Sequence, residues 1–189
     1  RVLEGIAALY GELARRGIQL RMLNLGGGFP SRYRQEVPSV DDYGAGVMAA
    51  LHRHFPELPP ELIVEPGRGI VGDAGVIEAE VVLVSIKEAG ETRRWVYLDV
   101  GKFSGLAETM DEAIKYRLVT AHDGGPTGPV VLAGPTCDSV DILYERCDYE
   151  LPLALKAGDK VRILSCGAYT ATYSTVGFNG FPPLKSYCI

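Results

Sequence analysis

Apolar residues open the chain at helical spacing. Val2, Leu3, Ile6, Ala7, Leu9, Tyr10 and Leu13 share one stripe, which predicts an amphipathic helix ending near Gly17. Leu20 to Leu25 is a short apolar run, predicted as a strand, that stops at three glycines. Asp41 and Asp42 are the predicted caps of a second helix carrying Val47, Met48 and Leu51, and Pro56, Pro59 and Pro60 force a break after it. Leu62 to Val64 is then a second brief strand, closed by Glu65-Pro66-Gly67. Helix, strand, helix, strand is the rhythm of an α/β unit, and parallel α/β folds build their sites at the carboxyl ends of strands.

From about Val76 the rhythm changes. Val76 to Ile86, Arg94 to Asp99, Val130 to Leu132 and Lys160 to Leu164 are β-rich, with irregular links between them. Ala121 to Pro129 is crowded with Gly and Pro and is predicted as a surface loop. Asp148 to Val161 is predicted as a strand, a turn and a strand, with Pro152 confined to an edge or non-bonding position. A domain boundary is therefore expected near Arg68 to Gly75, with residues 1–70 in an α/β unit and residues 71–189 in an antiparallel β-barrel or sandwich.

Composition narrows the function classes. With 189 residues and 47% hydrophobic composition, the chain can bury a sizeable core without staples. Net charge is −5 and the 19 Lys and Arg residues are scattered, so neither a nucleic-acid groove nor a polybasic membrane patch is expected. No apolar run is long enough to span a bilayer. Cys137, Cys147, Cys166 and Cys188 include no C-x-x-C pair, and with only 3 histidines no metal site is expected. No signal peptide is visible, which points to a reduced cytoplasmic protein.

Three places could carry chemistry. Gly26-Gly27-Gly28 follows a predicted strand directly. Glycine lets backbone approach an oxyanion, and successive amides can form an anion nest, although a turn without any ligand fits the run equally well. The run is neither a dinucleotide fingerprint nor a Walker loop. Glu65 and Arg68 close the next strand. They suit a simple ion pair, or two contacts to one molecule: a carboxylate for a cationic ring nitrogen and a guanidinium fork for phosphate. Cys137-Asp138 follows Gly134-Pro135-Thr136, a tight turn that presents a thiol beside a carboxylate. Aspartate opposes thiolate formation in its neighbour, so a protease-like dyad is unattractive. Cys137 alone also suits an apolar filler, and Asp138 a local backbone cap or a receiver of a cationic group. The tail from Gly167 to Pro183 is rich in aromatics, hydroxyls and glycine. It reads as a pocket wall, a subunit interface, or a strand of chain packed over the β-domain.

Taken in order, LNLGGGFP at residues 23–30, EPGR at 65–68, GPTCDSVD at 134–141, GAYT at 167–170 and FNGF at 178–181 resemble the alanine-racemase-like, fold type III decarboxylases that use pyridoxal 5'-phosphate (PLP). VYLDVGKFSGLAETMDEAIKY at 96–116 brings the bacterial ornithine and lysine decarboxylases nearest. The resemblance implies a PLP-binding (β/α)8 TIM barrel, whose last strands this chain supplies, followed by a β-barrel or sandwich domain. It also implies that Gly26, Gly27 and Gly28 wrap the cofactor phosphate by their amides, with Arg68 and the hydroxyl of Tyr169 at the same phosphate. Glu65 would pair with the pyridine nitrogen. Asp138 would reach across a homodimer interface to the distal amine of the substrate, and Cys137 would protonate the reacting carbon after carbon dioxide leaves. Phe178 would lie at that shared boundary.

The expected activity is decarboxylation of L-ornithine to putrescine, of L-lysine to cadaverine, or both, in polyamine biosynthesis. The family's Schiff-base lysine and its ring-stacking histidine match nothing in this chain. The chain is therefore expected to be a carboxy-terminal half that needs an amino-terminal half for turnover. AETMDE replaces the acidic substrate motif of eukaryotic relatives, which leaves Glu108 and Asp111 as loose candidates. A PLP-dependent racemase is disfavoured by the Cys137-Asp138-Ser139 element. A catalytically inactive homologue that regulates a partner is disfavoured by the retained cofactor contacts, and a plain β-rich binding module leaves the paired loops unexplained.

Overall fold

Two short parallel strands organise the first part of the chain in the computed structural model, which describes residues 1–189. Strand β1 (Met22–Asn24) pairs with β2 (Glu61–Ile63) in the register Met22 to Glu61, Leu23 to Leu62 and Asn24 to Ile63. Helices α1 (Val2–Arg15) and α2 (Val40–His54) belong to the same unit, made of residues 1–30 and 36–69. Its small core contains Leu23, Leu51 and Phe55, with Leu3, Ile6, Tyr10 and Val47 packed around them. Tyr10 meets Phe55 edge-on at 5.4 Å. Of the α1 stripe, Leu3, Ile6, Ala7 and Tyr10 pack on this core, whereas Val2 and Leu9, placed on the same stripe by sequence, are exposed.

The start of α2 corrects the expectation from sequence. Ser39 is its N-cap, and the Ser39 hydroxyl oxygen accepts the Asp42 N–H at 3.1 Å. Asp42 instead receives the Ser39 hydroxyl proton on its carboxylate at 2.7 Å, and Asp41 lies within the first turn. Both acids still favour the positive end of the helix, so the charge pattern located the start but not the residue that closes it.

The second unit holds residues 31–35 and 70–189. It begins with the single turn α3 (Arg68–Val71), which straddles the two units in sequence, and continues as a sheet of seven strands. These are β3 (Ile77–Ser85), β4 (Arg94–Leu98), β5 (Leu118–Thr120), β6 (Thr127–Ala133), β7 (Ile142–Tyr144), β8 (Glu150–Pro152) and β9 (Lys160–Ile163). They run in the order β5-β9-β3-β4-β6-β7, with β8 also on β6. The architecture is thus α/β followed by a curled, mostly antiparallel sheet, as the sequence implies. One pair departs from the antiparallel pattern, since β4 and β6 run parallel.

Burial alternates along these strands as a pleated sheet requires. Ile77, Ala79, Val81, Val96, Leu98, Val130, Leu132, Val161 and Ile163 form one continuous core. Residues of the opposite parity, Trp95, Val131 and Ala133, make a smaller cluster on the other face. A bulge between Val81 and Leu83 shifts the β3–β4 register.

Part of the predicted loop at 121–129 is strand. Thr127, Gly128 and Pro129 pair with Pro152, Leu151 and Glu150 of β8. That pairing is made with a segment distant in sequence, so local Gly and Pro content could not announce it. Pro152 lies on the short edge strand, as its missing N–H demands.

Two buried tyrosines in this core find backbone partners for their hydroxyls. The Tyr144 hydroxyl accepts the Tyr116 N–H at 2.8 Å and donates to Ile114 O at 3.0 Å. The Tyr149 hydroxyl donates to Tyr116 O at 2.6 Å, and its ring stacks on Tyr144 at 4.8 Å. Burial raises both phenols, Tyr149 to about 12, so neither ionises at neutral pH. Residues 31–35 join this cluster. Tyr33 packs edge-on against Tyr116, and the Arg34 guanidinium lies over Tyr149 while donating to Asp148 O at 2.9 Å.

Leu132 is fully buried, so Leu132→Ala in the full-length protein should cost about 2–5 kcal/mol, read as a lower midpoint in urea. On the surface, the Lys156 ammonium and backbone N–H, together with His122, hold the Asp159 carboxyl down at about 2. A carboxylate with a depressed folded value stabilises above its unfolded value, about 4, and loses that contribution as acid titrates it. Asp159→Asn should therefore lower the urea midpoint at neutral pH, and the gap from the parent should narrow below about pH 4.

Candidate cofactor and substrate loops

In the first unit, parallel pairing brings the ends of β1 and β2 side by side. Beyond the strands the ladder continues, with the Leu25 N–H on Ile63 O at 2.8 Å and the Glu65 N–H on Gly26 O at 2.8 Å. The glycine run and Glu65 are thus joined by backbone. Gly26 and Gly28 have φ of 73° and 82°, in the left-handed region that glycine occupies without strain. A Cβ on Gly27 would sit 3.0 Å from Glu65 O. Gly27 therefore lets the two loops meet closely, while Gly26 and Gly28 supply the turn.

Asn24 is a site residue that the sequence motifs did not single out. Its side-chain amide donates to Glu65 Oε1 at 2.7 Å, and its side-chain oxygen accepts the Gly26 N–H at 2.8 Å. One side chain thus aims the carboxylate and shapes the glycine turn. It also occupies the Gly26 amide, so that glycine serves the turn rather than offering a free donor. The signal was present in LNLGGGFP, where Asn24 stands just ahead of the run. Arg68 comes next, at the first position of α3, half-buried and engaged.

In the second unit, the connection from β6 to β7 carries Cys137 and Asp138. The Gly134 N–H closes on Asp141 O at 2.8 Å and the Asp141 N–H on Asp138 O at 3.0 Å. Asp138 Oδ1 also accepts the Val140 N–H at 2.8 Å. Cys137 is exposed and has φ of 59°, an uncommon conformation for a residue with a side chain. Strained backbone of this kind concentrates at functional sites. Asp141 is 2% exposed, and its carboxylate accepts the Lys102 N–H, the Thr136 N–H and the Thr136 hydroxyl.

The tail packs over the β unit. Phe178 stacks on Phe103 with centroids 4.2 Å apart, and Thr175 gives its N–H and hydroxyl to Phe103 O, each at 2.8 Å. Asn179 donates to Thr136 O at 2.8 Å, which ties the FNGF segment to the Cys137 loop. Tyr169 lies in a turn after β9, exposed at 51%, with φ of 56°.

A cavity of about 250 Å³ opens beside this loop, lined in part by Lys102, Asp111, Glu112, Ser139, Glu145 and Arg146. Burial opposes the charge of Glu112, but the N–H groups of Arg146 and Glu145 prevail and hold it below the usual carboxylate range. Burial, with Glu112 nearby, pushes the Cys147 thiol up. Of the loose candidates, Asp111 borders this cavity and Glu108 does not.

The model of the pyridoxal-dependent decarboxylase C-terminal sheet domain matches residues 22–167. The chain therefore belongs to the pyridoxal-dependent decarboxylases of the ornithine, diaminopimelate and arginine group. It is 35% identical to the diaminopimelate decarboxylase of Staphylococcus aureus over 83% of this chain and 38% of that one. It is 33% identical to the lysine/ornithine decarboxylase of Selenomonas ruminantium over 92% of this chain and 42% of the relative. The structure of the Vibrio vulnificus lysine/ornithine decarboxylase with cadaverine superposes with a TM-score of 0.78 at 34% identity, covering 96% of this chain and 48% of that one. The chain spans about two fifths of the length of the curated relatives it matches.

No group of His, Cys, Asp and Glu side chains in the structure could hold a metal ion. No helix is long and apolar enough to cross a membrane. The glycine and glutamate loops do fit PLP chemically, since they offer close backbone approach for a phosphate and an aimed carboxylate for a ring nitrogen. Asn24→Ala in the full-length protein should weaken PLP binding about fivefold, because a hydrogen bond to a charged group still open to solvent is worth about 1 kcal/mol. Fluorescence titration of the apo form with PLP measures it.

Proposed function

We propose that this chain completes an enzyme that decarboxylates a basic L-amino acid, with ornithine or lysine as substrate. Residues 1–70 would complete the PLP-binding barrel, and 71–189 would form its β-domain. The observation that carries the reading is the β6–β7 connection, where a thiol and a carboxylate stand side by side on a loop anchored by a buried acid.

Each residue takes a role that its chemistry allows. Gly27 and Gly28 offer amides to the cofactor phosphate, and Gly26 shapes the turn that presents them. Arg68 adds a guanidinium and Tyr169 a hydroxyl for the same group. Glu65, aimed by Asn24, holds a proton on the ring nitrogen. PLP, when bound, supplies the electron sink for the pair left at Cα. Cys137 gives its proton to that carbon. Asp138 receives the distal ammonium of the substrate.

The assembly is a homodimer with shared sites, Phe178 at the boundary and the cofactor lysine outside this chain. The half-chain alone would have no turnover, and the whole enzyme would act in the cytoplasm.

A second reading is diaminopimelate as substrate, favoured by the Staphylococcus aureus relative. Asp138 argues against it. A short anionic side chain suits a bare ammonium and would repel the second carboxylate of diaminopimelate. The full-length enzyme, assayed for carbon dioxide release on all three amino acids, should prefer ornithine or lysine. Asp138→Asn should lower kcat/KM for these by roughly 10- to 100-fold while PLP affinity stays nearly unchanged. Preference for diaminopimelate, or an unimpaired Asp138→Asn enzyme, would defeat the substrate assignment. Absence of any release would favour the inactive regulatory homologue.

A further inference from the structure

We propose that Thr136 is a positioning residue for Cys137, gripping the loop at the peptide unit directly before the thiol. Thr136 is buried, and its polar groups are spent on two opposite anchors. Its N–H and hydroxyl both reach Asp141 Oδ2, at 3.2 and 2.6 Å. Its carbonyl accepts the Asn179 side-chain amide at 2.8 Å, from the tail that packs over the loop.

Asp141 is a fixed anchor rather than a mobile one. Its other oxygen accepts the Lys102 N–H at 2.7 Å. The backbones of Gly101 and Gly134 close on the carboxylate so tightly that a Cβ would lie 2.2 and 2.3 Å from its oxygens. Glycine at these positions is therefore a steric requirement of the buried acid. The residue after this grip, Cys137, has φ of 59°. Such a conformation costs a residue with a side chain free energy, and it persists only where the surroundings over-determine it. The Thr136 grip supplies that determination on one side of Cys137.

The two functional side chains depend on different contacts. Asp138 is held by its own turn, through Val140 and Asp141. Loss of the Thr136 hydroxyl should therefore disturb the thiol more than the carboxylate, and kcat more than KM. The kinetic part rests on the decarboxylase reading, whereas presentation of the thiol does not.

Thr136→Val keeps the branched shape but cannot donate, and Thr136→Ser keeps the donor. In the full-length, PLP-loaded protein, Cys137 labelling by iodoacetamide at one pH is followed by mass spectrometry, beside kcat and KM for ornithine and lysine. Thr136→Val should change the labelling rate at least about threefold and lower kcat about tenfold with KM within about twofold, while Thr136→Ser stays within about twofold throughout. Asn179→Ala, on the exposed turn, should shift labelling in the same direction by less. Parental labelling in folded Thr136→Val, or equal deficits in Thr136→Val and Thr136→Ser, would overturn the proposal. If the parent releases no carbon dioxide, the decarboxylase reading fails and labelling alone decides the role of Thr136. If Thr136→Val does not fold, Asn179→Ala decides it, and an unchanged labelling rate counts against the grip.

Discussion

Water exclusion from the inner face of the curled sheet is the constraint on which the second unit depends. β3 stands near the centre, paired on one side with β4 and on the other with β9, and alternate side chains of β9, of β4 and of β3 up to the bulge after Val81 face the core. A fixed sheet fixes the points where its connections leave and return. The Cys137 loop departs from β6 at Ala133 and re-enters at Ile142 of β7, so its ends cannot drift. The Cys137 thiol is exposed because the loop projects from the sheet, yet the anchor Asp141 is buried because the loop folds back on itself.

Burying Asp141 beside that loop is tolerable only with donors in place. Three are present, two from Thr136 and one from the Lys102 backbone. Lys102 also lies near Asp141, Asp111 and Glu112, but burial dominates and lowers its pKa. The same logic governs the tyrosines. Tyr144 and Tyr149 can be buried because backbone groups of Ile114 and Tyr116 meet their hydroxyls. Polar groups under the loops thus confer a defined geometry, while the apolar face supplies most of the stabilisation.

The substrate question turns on one short carboxylate. Relatives of this chain include both diaminopimelate and lysine/ornithine decarboxylases at similar identity, so overall similarity does not discriminate. Under the proposed reading, charge at the distal end of the substrate is what would discriminate, since a carboxylate such as that of Asp138 suits a cation and opposes an anion.

The sequence by itself determined the class of fold, because hydrophobic periodicity is local and changes from helical to alternating near the middle of the chain. It also marked where chemistry could sit, since glycine runs, Glu65 with Arg68, and Cys137 with Asp138 are written in contiguous motifs. Tertiary structure decided the rest. That Ser39 closes α2, that Thr127 to Pro129 is strand, and that Asn24 aims Glu65 depend on hydrogen-bond geometry or on partners distant in sequence. The joining of residues 31–35 to the β unit also needed three dimensions, because Tyr33 and Arg34 find their aromatic partners far along the chain. Asp141 shows the division most clearly. Its identity was legible at the end of GPTCDSVD, but its burial was not, because the carboxylate is enclosed by Gly101, Lys102 and Gly134 only after two separate connections of the sheet have been brought together.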